Sequence, residues 1–266
     1  MSCNRSKVVS DVDYPNDSVT DSLFDSPDSL IFSSEPATEE ELPKTADELF
    51  DDFIFEFARL PHLQLKRVAF PLPQIAGKDT TWLPKEEWKF ESLFLDRDYY
   101  TVLFSSEEQM EWEKRTDLNC VDLEWIFLDE QQFKVYRFER LSGKWMLTEE
   151  RVRPFRESSL ADFLNFYAKF STDLEFQLLS VSDPLRYVTT DPDDDFNVIE
   201  GMLDHDQWEA FKPQLPKNVI TNIRYGQTYD RSNSVLLVKQ GISNGMMDIL
   251  TFRKGRAGWK LVAYEN

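Results

Sequence analysis

Three consecutive side chains, Asp204, His205 and Asp206, are the strongest candidates for chemistry in this sequence. An imidazole changes its charge near neutral pH, and a neighbouring carboxylate can stabilise the imidazolium and orient the ring for general acid–base catalysis. The similar stretch Leu95-Asp96-Arg97-Asp98 carries Arg97 where the later one carries His205. A position that takes either cation beside two acids is typical of a surface charge cluster. The trio is therefore a weak catalytic candidate and, in the simpler interpretation, a solvated cluster near a helix start.

A second acidic stretch has Asp191, Asp193 and Asp195 at alternate positions, as in the opening of a calcium-binding loop. Such a loop needs glycine at its sixth position and a bidentate glutamate at its twelfth. The chain has Phe196 and Met202 there. The stretch is interpreted as a solvated acidic loop, and no metal site is predicted.

Cysteine and histidine are scarce, and their positions predict neither a zinc site nor a disulfide. The chain contains Cys3, Cys120, His62 and His205. Cys120 precedes an apolar run that reads as a strand, which favours a half-buried thiol. His62 has no evident partner acid or base. The nucleophile elbow, the phosphate loop and the dinucleotide fingerprint are absent, so no cofactor is expected.

Residues 1–45 are rich in Asp, Ser and Pro and have no apolar period, which predicts a disordered acidic tether. Cys3, in Met1-Ser2-Cys3-Asn4, resembles the mature start of a bacterial lipoprotein, in which the thiol carries the lipid. The apolar signal that precedes such a cysteine is missing, so we expect Met1 to lie inside a longer signal or the start to have been trimmed. The alternative is a chance cysteine in a cytoplasmic tail.

Charge and hydropathy limit the partners. The net charge of −19 at pH 7 argues against a nucleic-acid surface, which needs clustered Lys and Arg to neutralise phosphates. No apolar run reaches the length of a membrane span. The expected partners are a small molecule or an envelope protein, with the membrane contacted through a lipid anchor alone.

The elements that position these residues are predicted from an internal repeat. The pattern Gln-Leu-x-x-Val-x-x-Pro-Leu occurs at 64–72 and again at 177–185, and each copy reads as a strand that stops near its proline. Each copy follows a helical stripe of aromatic residues, and the first stripe is preceded by a capping sequence that starts at Thr45. Each half ends in a series of strands with alternating apolar residues. They are predicted at Val121–Leu128, Phe133–Arg140 and Lys144–Glu149 in the first half, and at Val219–Tyr225, Ser234–Gln240, Met246–Arg253 and Trp259–Tyr264 in the second. The chain is predicted to carry one module twice, at 46–153 and at 154–266.

A helix, a lone strand, a second helical stretch and a final antiparallel meander together resemble the nuclear-transport-factor-2-like (NTF2-like) fold, also called the ketosteroid-isomerase-like fold. The residues that carry the resemblance are Phe53, Phe57, Gly143-Lys144-Trp145-Met146-Leu147, Phe163, Tyr167 and Gly258-Trp259-Lys260-Leu261. It implies an α+β class with two tandem cone-like modules, each with helices packed on a curved antiparallel sheet. The arrangement after a cysteine-headed acidic arm is also similar to an uncharacterised family of envelope lipoproteins from gut-type anaerobic bacteria.

Three functional hypotheses follow. The leading one is a non-catalytic lipoprotein of the cell envelope, lipid-anchored or periplasmic, that binds a ligand or a partner. The alternative is an isomerase-, dehydratase- or hydrolase-type enzyme with a pocket in one module, since the resemblance implies an Asp, His or Tyr inside such a pocket. The third is a structural spacer, which predicts modules without a cavity.

Overall fold

The structure is a computed structural model that describes residues 47–229 and 232–266, apart from the side chains of residues 195 and 196. Five α-helices lie in the described part: α1 (Phe50–Arg59), α2 (Pro61–Arg67), α3 (Ala161–Thr172), α4 (Leu174–Leu179) and α5 (Trp208–Phe211). Its strands are β1 (Leu72–Ala76), β2 (Asp79–Leu83), β3 (Tyr99–Phe104), β4 (Cys120–Phe127), β5 (Gln132–Leu141), β6 (Lys144–Pro154), β7 (Val181–Asp191), β8 (Asp194–Leu203), β9 (Val219–Arg224), β10 (Ser234–Gly241), β11 (Met247–Gly255) and β12 (Gly258–Glu265). No described helix is long and apolar enough to cross a bilayer.

The strands form two six-stranded sheets with corresponding orders. The first sheet runs β2-β1-β6-β5-β4-β9 and the second runs β8-β7-β12-β11-β10-β3. Both are mixed, because β1 lies parallel to β6 and β7 lies parallel to β12. The prediction of purely antiparallel sheets is therefore wrong. Each half places its first strand beside its last, and these two strands run in the same direction.

Each sheet takes one edge strand from the other half of the chain. Strand β9 pairs with β4 in the first sheet, and β3 pairs with β10 in the second. The two exchanged strands meet at Thr101 and Thr221, which are both buried. Each threonine N–H donates to the hydroxyl oxygen of the other, at 2.7 and 2.9 Å. Each hydroxyl also donates to the carbonyl oxygen of the other, at 2.6 and 3.0 Å, so the contact is reciprocal.

The predicted aromatic stripes form the two cores. On α1, Phe50 and Phe53 pack against Phe138 and Phe50 also contacts Trp145, with ring centroids 5.1 to 5.8 Å apart. On α3, four aromatic rings surround Phe252. Burying one such side chain contributes about 1.5–3 kcal/mol, so these stripes fix both helices on their sheets. Helix α1 begins at Phe50, whereas its predicted cap at Thr45 lies outside the described residues.

The repeated Gln-Leu-x-x-Val-x-x-Pro-Leu stretches do not form strands that stop at the proline. Gln64 lies in α2 and Gln177 lies in α4, and the strands begin later, at Leu72 and Val181. The prediction was wrong because apolar residues three positions apart fit a helical turn as well as they fit an irregular strand.

The repeated glutamine has the same role in both halves. Gln64 Nε2 donates to the Phe57 carbonyl at 2.9 Å, and Gln177 Nε2 donates to the Phe170 carbonyl at 2.9 Å. Each glutamine oxygen also accepts from a tryptophan indole. Trp88 donates to Gln64 at 3.3 Å, and Trp208 donates to Gln177 at 3.1 Å. The buried amide therefore satisfies a carbonyl near the C-terminal end of the preceding helix and fixes a tryptophan that follows.

Candidate functional site

The predicted trio around His205 lies on an open depression at the start of α5. The depression has a volume of about 500 Å³ and is lined by Leu178, Asp183, Asp204, His205, Asp206 and Glu209. The imidazole Nε2 lies 2.5 Å from the Leu178 carbonyl oxygen, and Asp204 and Asp206 are exposed. The ring thus contacts the backbone of α4, and the charged groups around it are carboxylates. Its catalytic role stays a prediction, since the hydrogen-bond contact of the ring in the described structure is with a backbone carbonyl.

The other singled-out residues are dispersed. His62 is exposed on α2. Cys120 is an exposed free thiol at the first residue of β4, so the prediction of a half-buried thiol is wrong. Partial desolvation and the nearby Asp122 carboxylate raise the pKa of this thiol, which disfavours a nucleophilic role. Cys3 and the tether at 1–45 lie outside the described residues.

The acidic stretch at 189–195 is a hairpin turn and not an open loop. Strand β7 extends to Asp191 and β8 begins at Asp194, with the Asp193 N–H donating to the Asp191 carboxylate at 2.9 Å. This side-chain bond closes a tight turn in the manner of an Asx turn. Within the described ranges, no group of three or more His, Cys, Asp or Glu side chains is arranged to hold a metal ion.

A cluster that the sequence analysis did not single out lies on the first sheet. Gln74 on β1 pairs with Glu150 on β6, which pairs with Tyr136 on β5. Side chains opposite one another in neighbouring strands project from the same face of the sheet, as do side chains two positions apart in one strand. Lys134, two residues before Tyr136 in β5, therefore projects from this face as well. Tyr136 belongs to the core beneath α1, so this is the helix-covered face of the sheet.

The polar groups of this cluster contact one another. Lys134 Nζ lies 3.1 Å from Glu91 Oε1 and 3.9 Å from Glu150 Oε2. Gln74 Nε2 donates to Glu150 Oε2 at 3.0 Å. The Tyr136 hydroxyl donates to the Glu91 carboxylate. One ammonium group therefore lies between two carboxylates.

Burial dominates the electrostatics of the cluster. It raises the pKa of the Glu150 carboxyl, against the opposing effects of Lys134 and the Gln74 hydrogen bond. Burial and the Glu91 charge raise the pKa of Tyr136, so its phenol stays protonated and donates. The Glu150 side chain is 8% exposed, whereas those of Lys134 and Glu91 are 30% and 33% exposed. Solvent reaches the cluster from the side of Lys134.

A cavity of about 310 Å³ adjoins the cluster. It is lined by Gln74, Ile75, Ala76, Thr81, Lys134, Glu150, Arg151 and Val152. Apolar side chains and a few converging polar groups are the usual composition of a small-molecule site. The arrangement can hold a ligand by ionic and amide hydrogen bonds, and Glu150 is the group with which it could exchange a proton.

The family model described as "Domain of unknown function (DUF4348)" matches residues 31–266. The chain belongs to this family. A crystal structure of an NTF2-like protein from Bacteroides fragilis NCTC 9343 is similar to it, with 44% sequence identity and a TM-score of 0.78. The match covers 83% of this chain and 96% of that chain. No curated protein matches the sequence. The two mixed sheets and few helices agree with an NTF2-like fold, so the predicted resemblance to this fold is confirmed.

The second sheet of this DUF4348 protein differs at the corresponding positions. In the second sheet Leu250 pairs with Tyr264, and this cross-strand pair corresponds to the pair of Tyr136 and Glu150 in the first sheet. Lys239 Nζ contacts Asp248 Oδ2 at 3.0 Å, and the Tyr264 hydroxyl donates to Asp248 Oδ1 at 2.9 Å. These side chains are buried, so their ion pair is shielded from solvent. The sheet thus presents an internal ion pair where the first sheet presents a solvent-accessible cluster.

The sequence contained a weak signal for the first-sheet cluster in this DUF4348 chain. Lys134 and Tyr136 alternate along a predicted strand, which places both on one face. Glu150, however, falls just beyond the predicted end of the next strand at Glu149, because β6 continues to Pro154. The pattern of neighbouring residues in the sequence does not show that Glu150 pairs with Tyr136. It also does not show that β1 lies parallel to β6 and brings Gln74 opposite Glu150.

Proposed function

We propose that this DUF4348 protein is a non-catalytic, ligand-binding protein of the bacterial envelope and that its ligand occupies the first-sheet cavity. The observation that carries the proposal is the convergence of Gln74, Lys134 and Glu150 on that cavity. Each polar group is held by a neighbour, which pre-organises the site and reduces the entropy lost on binding. The ligand class is a small polar molecule that both accepts from Lys134 or Gln74 and donates to Glu150.

The proposal includes two tandem NTF2-like modules that arose by duplication. The corresponding strand orders, the twin glutamine contacts and the reciprocal threonine pair support it. Divergence after duplication accounts for a solvent-accessible cluster in one sheet and a buried ion pair in the other. The proposal therefore assigns this ligand site to the first module.

The envelope location rests on Cys3 and the acidic stretch that follows it, together with the resemblance to envelope lipoproteins. When the natural reading frame is expressed in a bacteroidal host fed an alkyne fatty acid, the protein is expected to take up the label. Cys3→Ser is expected to abolish labelling, because a serine hydroxyl is not a substrate for thioether lipidation. Unlabelled protein found only in the cytoplasmic fraction would contradict this location.

Binding in the first-sheet cavity is testable with a library of small polar metabolites, followed by ligand-observed NMR. The double variant Lys134→Met with Glu150→Gln is expected to weaken any true hit by about tenfold or more, because two charge-assisted contacts are lost. Both groups change together so that the buried Glu150 carboxylate is not left without its cation. Glu91 also loses Lys134, but it is a third exposed and keeps its hydrogen bond from Tyr136. Unfolding curves of the variant check that the fold persists.

The matched control is the double variant Lys114→Met with Glu111→Gln, which removes an exposed ion pair outside the cavity lining and likewise keeps the net charge. It is expected to leave affinity unchanged. Hits that bind Lys134→Met with Glu150→Gln as tightly as the wild-type protein would refute the assignment of this cavity.

The enzyme alternative has one specific observation in its favour. Glu150 combines a raised pKa with the nearby Tyr136 and an accessible cavity, which suits a general acid or base. If confirmed ligands are converted during long incubation, and Glu150→Gln abolishes conversion while binding persists, the isomerase-, dehydratase- or hydrolase-type function replaces the binding one.

A further inference from the structure

A buried carboxylate lies on the opposite face of the first sheet, away from the proposed ligand cavity. Glu124 on β4 pairs with Asn222 on the exchanged strand β9, and Asp122 pairs with Arg224. Glu124 is 0% exposed. A buried carboxylate is costly unless it is paired and hydrogen-bonded, so its partners define the local electrostatics.

Glu124 is fully engaged by its neighbours. Its Oε1 lies 2.7 Å from Arg153 Nη2 and 3.6 Å from Arg224 Nη1. Its Oε2 accepts from Asn222 Nδ2 at 2.8 Å, and the Asn222 oxygen accepts from the Leu103 N–H at 2.8 Å. The amide orientation is thereby fixed. The carboxylate acts as an anchor that holds two guanidinium groups side by side.

The guanidinium groups retain donors that this anchor does not use. Arg153 donates from one nitrogen to Glu124, and its guanidinium carbon lies 4.2 Å from the centroid of the Phe133 ring. Arg224 Nε is buried and has no hydrogen-bond partner in the described part of the protein. A buried N–H without an acceptor keeps the full desolvation cost of the group, so such groups call for a functional explanation.

A cavity of about 220 Å³ opens onto both arginines. It is lined by Glu124, Arg153, Glu157, Ser158, Ser159, Leu160, Arg224 and Tyr229. Two guanidinium groups and two serine hydroxyls supply donors on one side. Glu157 is exposed at the residues that precede α3, where solvent screens its charge.

The charge balance selects the ligand. In the buried part of the lining, two guanidinium groups face one carboxylate, Glu124, which leaves an excess positive charge there. The second lining carboxylate, Glu157, is exposed, so solvent screens its charge. A monocarboxylate neutralises the excess positive charge and matches the planar fork of a guanidinium with two oxygens. A phosphate dianion would instead leave excess negative charge beside the buried Glu124. We propose that this cavity binds a small monocarboxylate through Arg153 and Arg224.

The test uses the full chain and titrates acetate, benzoate and inorganic phosphate at constant ionic strength. The readout is the set of arginine Nε–H signals in ¹⁵N-labelled protein. Saturable shifts of the Arg153 and Arg224 signals are expected with a monocarboxylate. Arg224→Met is expected to weaken binding by about tenfold, the loss of one charge-assisted contact. Arg224 suits this purpose because Arg153 and Asn222 still hold Glu124 after its removal.

The control Arg256→Met removes a guanidinium from an exposed turn and is expected to leave the titration unchanged. No saturable shift with any monocarboxylate up to about 50 mM would overturn the proposal. Equal binding by Arg224→Met, or tighter binding of phosphate than of the monocarboxylates, would overturn it as well. Lys134 and Glu150 lie on the other face, so their variants test a separate site.

Discussion

Two fragments, 47–157 and 158–266, are expected to fail to fold alone and to assemble into a native-like complex when they are mixed. The cut follows the 3-10 turn Phe155–Glu157, whose last residues are exposed. Each fragment then lacks the edge strand that its own sheet takes from the other half. The first fragment holds β3 without β10, and the second holds β9 without β4.

The expected effect is large because the exchanged strands are buried. In β3, every residue from Tyr100 to Phe104 is buried, and in β9 the four residues from Ile220 to Ile223 are buried. A lone fragment would expose this surface together with an unpaired strand edge, which favours aggregation. At about 1.5–3 kcal/mol for each buried large apolar side chain, the four in β3 contribute about 6–12 kcal/mol, which is comparable with the whole net stability of a typical domain, about 5–15 kcal/mol.

Circular dichroism and ¹H–¹⁵N NMR spectra of each fragment and of the mixture measure the outcome, with size-exclusion chromatography for the complex. The matched control is the full chain cleaved at an inserted protease site after Glu157, which has the same cut with both halves present. It is expected to stay folded. Two dispersed spectra from monomeric, separately folded fragments would contradict the strand exchange.

The meander strands were predictable because their signals are local. Strands were predicted at Val121–Leu128, Phe133–Arg140, Ser234–Gln240 and Met246–Arg253, and each agrees with β4, β5, β10 or β11 to within two residues at either end. Side chains alternate across these strands, and glycine-containing turns follow β5 and β11. The helical stripes were equally clear, because Phe53 and Phe57 or Phe163 and Tyr167 lie four residues apart.

The exchange itself was not predictable from pattern. Strand β3 is apolar or aromatic at every position except Thr101. Because apolar and polar residues do not alternate there, no strand was predicted at these positions. Even with β3 and β9 both assigned, their composition does not reveal which sheet each one joins. The site clusters depend on the same long-range pairing: Glu150 meets Gln74 and Lys134 only through neighbouring strands. His205 is the stronger candidate by sequence because its acidic neighbours are adjacent in the chain.

Raising the pH from 5 to 8 is expected to lower the free energy of unfolding through Asp51. Burial raises the pKa of this carboxyl from 3.8 to about 7, with a smaller contribution from Glu113 and against the hydrogen bond from Tyr225. The Tyr225 hydroxyl donates to Asp51 Oδ1 at 2.7 Å. Burial also raises the pKa of Glu113, so two carboxyls near one another resist ionisation.

The sign follows from proton uptake. Between the unfolded and folded pKa values the folded state binds more protons than the unfolded chain, so the stabilisation is fully present below pH 3.8 and is lost as the pH rises towards 7. Over the window from pH 5 to pH 8 the loss is about 2–3 kcal/mol. Carboxyls with lowered pKa values, such as Asp47 and Asp162, act in the opposite sense and at lower pH.

Asp51→Asn isolates this effect, because asparagine stays neutral and its oxygen still accepts from Tyr225. Urea unfolding of both proteins at several pH values is expected to give similar stabilities near pH 5 and a more stable variant at pH 8. Asp52→Asn, at the adjacent exposed position, is expected to keep the pH dependence of the wild-type protein. A constant difference between the wild-type protein and Asp51→Asn across this range would mean that Asp51 is ionised throughout in the folded state, because a proton bound by the folded state and not by the unfolded chain would change the slope.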